Sequence, residues 1–283
     1  MTAPRDRFSV SQLMLPGSPF EEDVDVAAGL GIGLGVSEAK LPEGHDEELA
    51  GLMQSAGVWS GVAVPAVIGP LKDAWRGGPD DPGERVDAVC AAVDRLARFK
   101  PSTFLVVTGA RALYPRHVAR RIVLDGLRRI ADRAATHSMT VSVEVLRDEM
   151  NGSLYSDLAR TFELIDDVGA DNVGVLFDIW HMWDAPDVLM ELETVAHRIF
   201  AVQLADWRDP TRWNGDRVLP GDGIADIPAL LGALERNGFT GIYDVEVFSD
   251  ASRPGSIWEG ATAAGVLDAS WSAFDRLWSH AGL

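Results

Sequence analysis

The chain has 283 residues, 47% hydrophobic and 24% charged, with 43 acidic against 25 basic side chains and a formal net charge of −18 at pH 7. This balance argues against a grip on phosphate backbones, which gains affinity by releasing counterions with Lys and Arg, so nucleic acid is not an expected partner. One cysteine, Cys90, excludes an internal disulfide, an iron–sulfur cluster and a thiolate zinc site, and the absence of a long apolar run or signal-like first segment predicts a cytoplasmic protein with no membrane partner.

Phe8 to Leu15 reads as a strand stopped by the Pro16 to Pro19 segment, and Phe20 to Leu30 as a helix whose acidic first turn suits the helix dipole. Gly33 to Glu38 is the second strand, His45 to Ala56 its helix, and Trp59 to Ile68 the third strand, with Pro65 near its end where a missing N–H costs no ladder bond. Gly69 to Pro82 is rich in Gly, Pro and Asp and reads either as a lid over an entrance or as padding. Arg85 to Phe99 carries Val86, Val89, Val93 and Leu96 as one helical stripe, with Cys90 as an inert thiol in the same pattern. Thr103 to Thr108 is a strand, His117 to Thr136 a long helix, Thr140 to Leu146 a strand containing Glu144, and Leu154 to Val168 a helix. Next, the apolar run Val173, Val175, Leu176 and Phe177 ends abruptly in Asp178 and His181. Asp187 to Arg198 reads as a helix, Ile199 to Asp206 as the seventh strand, Ile227 to Asn237 as a helix, Ile242 to Phe248 as the eighth strand and Ala261 to His280 as the closing helix.

Eight strand and helix alternations without a linker predict one (β/α)8 TIM barrel over residues 1–283. The glycines from Gly29 to Gly35 precede a strand and so fail the context of a dinucleotide fingerprint. In such a barrel the site lies at the C-terminal strand ends, where Glu144, Asp178, Gln203, Asp206 and Glu246 fall. Burying carboxylates inside apolar strands costs several kcal/mol each unless a cation compensates them. No Lys or Arg lies within strands five to eight, so a shared divalent cation is the economical explanation, and an oxygen-rich set suits Mn²⁺ best, with Mg²⁺ or Co²⁺ as alternatives. Read conservatively, Asp178 and Asp206 cap turns, Gln203 is a buried amide held by backbone, His181 sits on the surface and Arg217 braces its loop against Asp216 or Asp222. Trp180, Trp183, Trp207 and Trp213 cluster after strands six and seven; Trp180 and Trp207 suit contact with sugar faces, while core packing or a homo-oligomer contact is the alternative.

The segment 140–249 resembles the xylose-isomerase-like TIM-barrel superfamily of sugar isomerases and epimerases. The residues that carry the resemblance are Val143-Glu-Val145, Phe177-Asp-Ile-Trp-His181, Val202-Gln-Leu-Ala-Asp206, Arg217-Val-Leu-Pro-Gly-Asp-Gly-Ile-Ala-Asp226 and Tyr243-Asp-Val-Glu-Val-Phe248. The resemblance implies one divalent metal on Glu144, Asp178, Gln203 and Glu246, with Gln203 standing where many relatives have histidine. It further implies Glu144 and Glu246 as the general acid/base pair, His181 as a substrate-oxygen contact and Arg217 as a partner of the substrate's polar end. The expected activity is isomerisation or epimerisation of a small-molecule sugar, a free ketose or keto-inositol, through an enediolate. A lyase on the same site, such as one cleaving 3-keto-glycosides, and a non-catalytic sugar-binding barrel are the alternatives. An abasic-site endonuclease is disfavoured, because it needs a His-rich multinuclear zinc site and only His181 of the six histidines falls in the mouth.

Overall fold

Alternation along the strands decides which side chains face the barrel axis and which face the helices. The computed structural model describes residues 3–15, 17–73, 76–111, 114–147, 153–213, 215–250 and 252–283. The barrel strands are β1 (Phe8–Ser11), β2 (Gly33–Gly35), β3 (Val62–Ala63), β4 (Thr103–Val107), β5 (Val141–Glu144), β6 (Val173–Asp178), β7 (Ile199–Leu204) and β10 (Ile242–Val245). They form one parallel sheet in the order β2-β1-β10-β7-β6-β5-β4-β3. Parallel bridges Leu34↔Ser60 and Ser37↔Val64 bring its two edges together, so the eight-stranded barrel is nearly closed.

Around it run α1 (Phe20–Leu30), α2 (Asp46–Ser55), α3 (Pro82–Leu96), α4 (Arg116–Ala135), α5 (Leu158–Val168), the single turn α6 (Ile179–Met182), α7 (Val188–Val195), α8 (Ile227–Arg236) and α9 (Ala263–His280). The expected stripe of α3 is buried, and its start is fixed by Asp81, whose carboxylate accepts from Glu84 N at 3.0 Å ahead of Pro82. Phe104, Val106, Val141 and Val143 pack outward into the large core under the helices, whereas Leu105, Val107, Leu176, Ala201 and Ile242 form a second, interior cluster with Val62 and Val64. Each such fully buried Val or Leu contributes about 1.5–3 kcal/mol.

Several boundaries differ from the sequence reading. The first strand ends at Ser11, because Gln12–Met14 tightens into a 3₁₀ turn capped by the Ser11 hydroxyl. The third is ladder-paired only at Val62–Ala63, and the helix expected from Leu154 begins at Leu158, after Asp157 caps it. Between β7 and α8 lies an unforeseen two-stranded antiparallel hairpin, β8 (Asp206–Trp207) with β9 (Arg217–Val218). That hairpin matters because it carries Arg217 back over the barrel mouth.

Candidate active site

Glu144 and Asp178 are the last residues of β5 and β6, Gln203 is next to last in β7, and Glu246 follows the last residue of β10. Within each strand they share the side of Ser142, Leu176, Ala201 and Ile242, so all four point into the barrel mouth. Glu144, Asp178 and Glu246 are all buried, as are His181 and Arg217. A cavity of about 930 Å³ opens above them, with Glu144, Trp180, His181, Arg217 and Glu246 in its wall.

The compensating cation expected to be missing is supplied in part by the chain itself. Arg217 Nη1 lies 3.2 Å from Asp178 Oδ2 and 3.7 Å from Glu246 Oε2, and donates to the Glu246 carbonyl at 2.9 Å. Its guanidinium is held between the rings of Trp180 and Phe248, at 4.5 and 4.9 Å. The loop brace considered for Arg217 is absent: Asp216 is taken instead by Arg212 and Arg208. Counting strand residues alone overlooked this arginine because it enters from the hairpin.

One guanidinium does not neutralise three carboxylates. Burial, with the charges of Asp178 and Glu246, holds the Glu144 carboxyl well above the ordinary range against the pull of Arg217 and Arg76. Burial also raises Asp178, opposed by Arg217 and by the N–H groups of Trp180 and His181. Glu246 is raised for the same primary reason, with Arg217 opposing and Asp178 adding. The surplus of buried negative charge is a fit for a divalent cation.

The donor set fits as well. Ligand atoms of Glu144, Asp178 and His181 all come within 4.8 Å of one another. The His181 ring, however, is already committed: Nδ1 accepts from Arg147 N at 3.3 Å, so in the neutral ring Nε2 carries the proton and faces Asp178 Oδ2 at 3.6 Å. Burial and the neighbouring Arg217 and Arg147 push His181 well below its usual value, which keeps that ring neutral. It therefore presents a donor, whereas Gln203 is fully buried and its amide oxygen and nitrogen complete no hydrogen bond of good geometry. An orphaned amide oxygen beside Asp178, its register partner across β6 and β7, suits the remaining oxygen ligand.

Two expectations are adjusted by position. Trp207 is not among the described residues of the cavity wall; it stacks behind Trp180 with ring centroids 5.0 Å apart and lies beside Trp183 at 6.2 Å. Trp213, half-buried, lines the cavity instead. Asp206 accepts from the N–H groups of Trp207, Gly221, Gly223 and Ala225, which makes it the clasp of the 206–225 loop.

Sequence reasoning missed two residues. Asp244 lies fully buried one alternation below Glu246 and accepts from the Ser9 hydroxyl; burial, with the Glu246 charge adding and Ser9 opposing, pushes it up to about 8. Its signal was present, since it shares the inward parity of Ile242 and Glu246. Arg76, in the cavity wall, comes from the 69–82 loop, where periodicity gives no direction to a side chain.

The family model described as xylose isomerase-like TIM barrel matches residues 25–266. An inosose isomerase of Halalkalibacterium halodurans is 25% identical over 133 residues, 46% of this chain and 46% of that protein. An L-ribulose-5-phosphate 3-epimerase of Escherichia coli is 27% identical over 140 residues, 47% of this chain and 45% of that protein. The chain thus spans less than half the length of these curated relatives in each match. Among solved structures, the IolI protein with a bound zinc atom superposes with a TM-score of 0.79 at 19% identity, over 97% of this chain and 98% of the other.

Proposed function

Because the chain belongs to the xylose isomerase-like TIM-barrel family, we propose that it is a divalent-metal-dependent isomerase or epimerase of a small keto sugar or keto-inositol. The observation that carries this reading is that Glu144 and Glu246, both buried and both raised, line one cavity with His181 and Arg217, and that the buried, raised Asp178 lies directly behind them against Glu144, His181 and Arg217. Relatives named as an inosose isomerase and a ribulose-phosphate epimerase support proton transfer next to a carbonyl. The zinc atom of the IolI structure supports a metal. An all-oxygen set favours Mn²⁺ over zinc for this chain.

Glu144, Asp178, Gln203 and Glu246 would hold the ion. When bound, it supplies Lewis-acid stabilisation of the enediolate oxygens. Glu144 and Glu246 stand on strands separated by β6 and β7, so they reach a substrate from two sides. One takes the proton from the carbon beside the carbonyl, and the other returns a proton to the same or the adjacent carbon. Burial raises the proton affinity of both, which suits a proton-exchanging pair. His181 donates from Nε2 to a substrate oxygen, and Arg217, locked between two rings, fixes the polar end without reorganising.

Solvent-deuterium incorporation into free ketoses and keto-inositols, run with Mn²⁺ and again after chelation, tests the reading. Metal-dependent exchange at the carbon next to the carbonyl is expected, and its absence from every substrate while Mn²⁺ is bound would overturn it. A lyase is the second reading, favoured by cavity size. About 930 Å³ lies at the upper end of the roughly 300–1,000 Å³ of small-molecule clefts, room for a keto-glycoside.

A further inference from the structure

The described residues of the 69–82 segment are fastened down, which departs from a reading as padding. Residues 68–72 run beside the end of β4 and extend its ladder: Val107 N donates to Ile68 O at 2.7 Å, Leu71 N to Thr108 O at 3.3 Å and Ala110 N to Lys72 O at 2.9 Å. Gly69 is required there, because a Cβ would lie 1.7 Å from the Val107 carbonyl oxygen. From α3, the fully buried Arg85 donates to Gly69 O at 2.9 Å, to Pro79 O at 3.2 Å and to the buried Asp73 at 3.1 Å. Asp73 in turn accepts from Arg76 N at 2.6 Å. A buried ion pair therefore sets the backbone of Arg76, and its guanidinium enters the cavity wall, touching the chain through Pro65 O at 3.3 Å.

Among the described residues of that wall, the other two arginines face acids: Arg217 meets Asp178 and Glu246, and Arg253 meets Asp250 at 3.0 Å. Arg76 has no acid within ion-pair distance among the described residues. Its charge reaches Glu144 and Glu246 only through space, without a direct contact, so the hydrogen-bonding edge of the guanidinium is open to an added anion. Val64, Ile68, Leu105 and Val107 line the same cavity, so a charge brought there is poorly screened by water.

We propose that the substrate carries an anionic group, a carboxylate or a phosphate, and that Arg76 receives it while the carboxylate cluster works on the other end. This rests on the enolising reading above and names its substrate class, in place of the neutral sugar expected from sequence. Arg76 is then a specificity residue, and Asp73 with Arg85 positions it.

Three cavity tryptophans, Trp180, Trp213 and Trp258, provide the binding signal. Fluorescence titrations of the Mn²⁺-loaded protein would compare D-ribulose with D-ribulose 5-phosphate, and L-sorbose with 5-keto-D-gluconate. At least one anionic member should bind about tenfold more tightly than its neutral counterpart, as a hydrogen bond to a charged group provides. Whichever pair shows the preference identifies phosphate or carboxylate. In Arg76→Met the anionic-over-neutral preference should fall below about threefold, and Arg76→Lys should restore most of it. No preference in either pair, no binding of any probe, or a preference that survives Arg76→Met would overturn the proposal. Deuterium exchange on the same probes separates the two claims: anion preference without exchange sinks only the enolising reading, and exchange without preference sinks only the anion site.

Discussion

The half of the cavity wall supplied by β5, α6, β9 and the end of β10 carries Glu144, His181, Arg217 and Glu246. The half supplied by the ends of β1, β3 and β4 carries Leu13, Val64, Ile68, Leu105 and Val107, with Arg76 as its charge among the described residues. The first half concentrates titratable groups whose burial shifts them, which is what proton transfer needs. The second offers surface and one fixed cation, which is what orientation needs. On the proposed reading chemistry and selection occupy opposite arcs of one barrel, and substitutions on the two arcs should be separable in kind.

The largest effect is expected in the first arc. Glu246→Gln keeps the shape and removes the proton carrier, so turnover should fall about 10³-fold or more while the unfolding transition stays cooperative. Activity within threefold of the parent would show that Glu246 is not the acid/base group. Next comes the foundation of the second arc. Arg85→Met withdraws the guanidinium from buried Asp73 and should cost about 3 kcal/mol in urea unfolding. The exposed Arg98 and Glu47 pair gives the control, because Arg98→Met should cost less than about 1 kcal/mol. Equal costs would mean that the loop platform is not held as described.

A pH-dependent effect belongs to Asp244, beneath the first arc. Its carboxyl is raised from 3.8 to about 8 in the fold. A raised group stabilises the fold below its unfolded value and loses that contribution as pH rises through the folded one. Chelated parent protein should therefore lose stability from pH 4 to pH 8 relative to Asp244→Asn, by up to about 1.4 kcal/mol per pH unit. Parallel pH profiles for the two proteins would place Asp244 in a wetter setting than its burial indicates.

The two arcs were unequally legible in the sequence. Glu144, Asp178 and Glu246 stood out because a carboxylate in or beside an apolar strand contradicts its surroundings, and a barrel sends all such strand ends to one face. Leu13, Val64 and Leu105 contradict nothing, so no local signal separates a cavity wall from ordinary core. Arg217 was named by resemblance, but its pairing with Asp178 and Glu246 was not readable, and Arg76 was hidden altogether, for another reason. Both are carried by segments outside the barrel strands, and where such a side chain points depends on distant contacts: the β8–β9 hairpin for Arg217, the Arg85 anchor for Arg76. Strand parity was readable residue by residue, as Asp244 illustrates, while the crossing of a loop over the mouth was not.

Gln203 offers the finest test of how the first arc is wired. It sits at the strand end expected to supply a ligand, its amide completes no hydrogen bond of good geometry, and its register partner is Asp178. If its oxygen faces the ion, exchange for an imidazole nitrogen replaces a weak neutral ligand by a stronger one, and Gln203→His should tighten Mn²⁺ and zinc binding, with zinc gaining more because imidazole suits it. A gain of about tenfold for zinc, some 1.4 kcal/mol, is the expected scale. Competition titrations against a chelating dye read both ions directly and do not depend on turnover. Should the two affinities stay where they were, Gln203 would belong with Asp244 and Ser9 in the polar layer beneath the site, and His181 would be the nearest remaining donor. That outcome would require its ring to exchange the Arg147 contact for the opposite tautomer, a change visible in the nitrogen chemical shifts of His181.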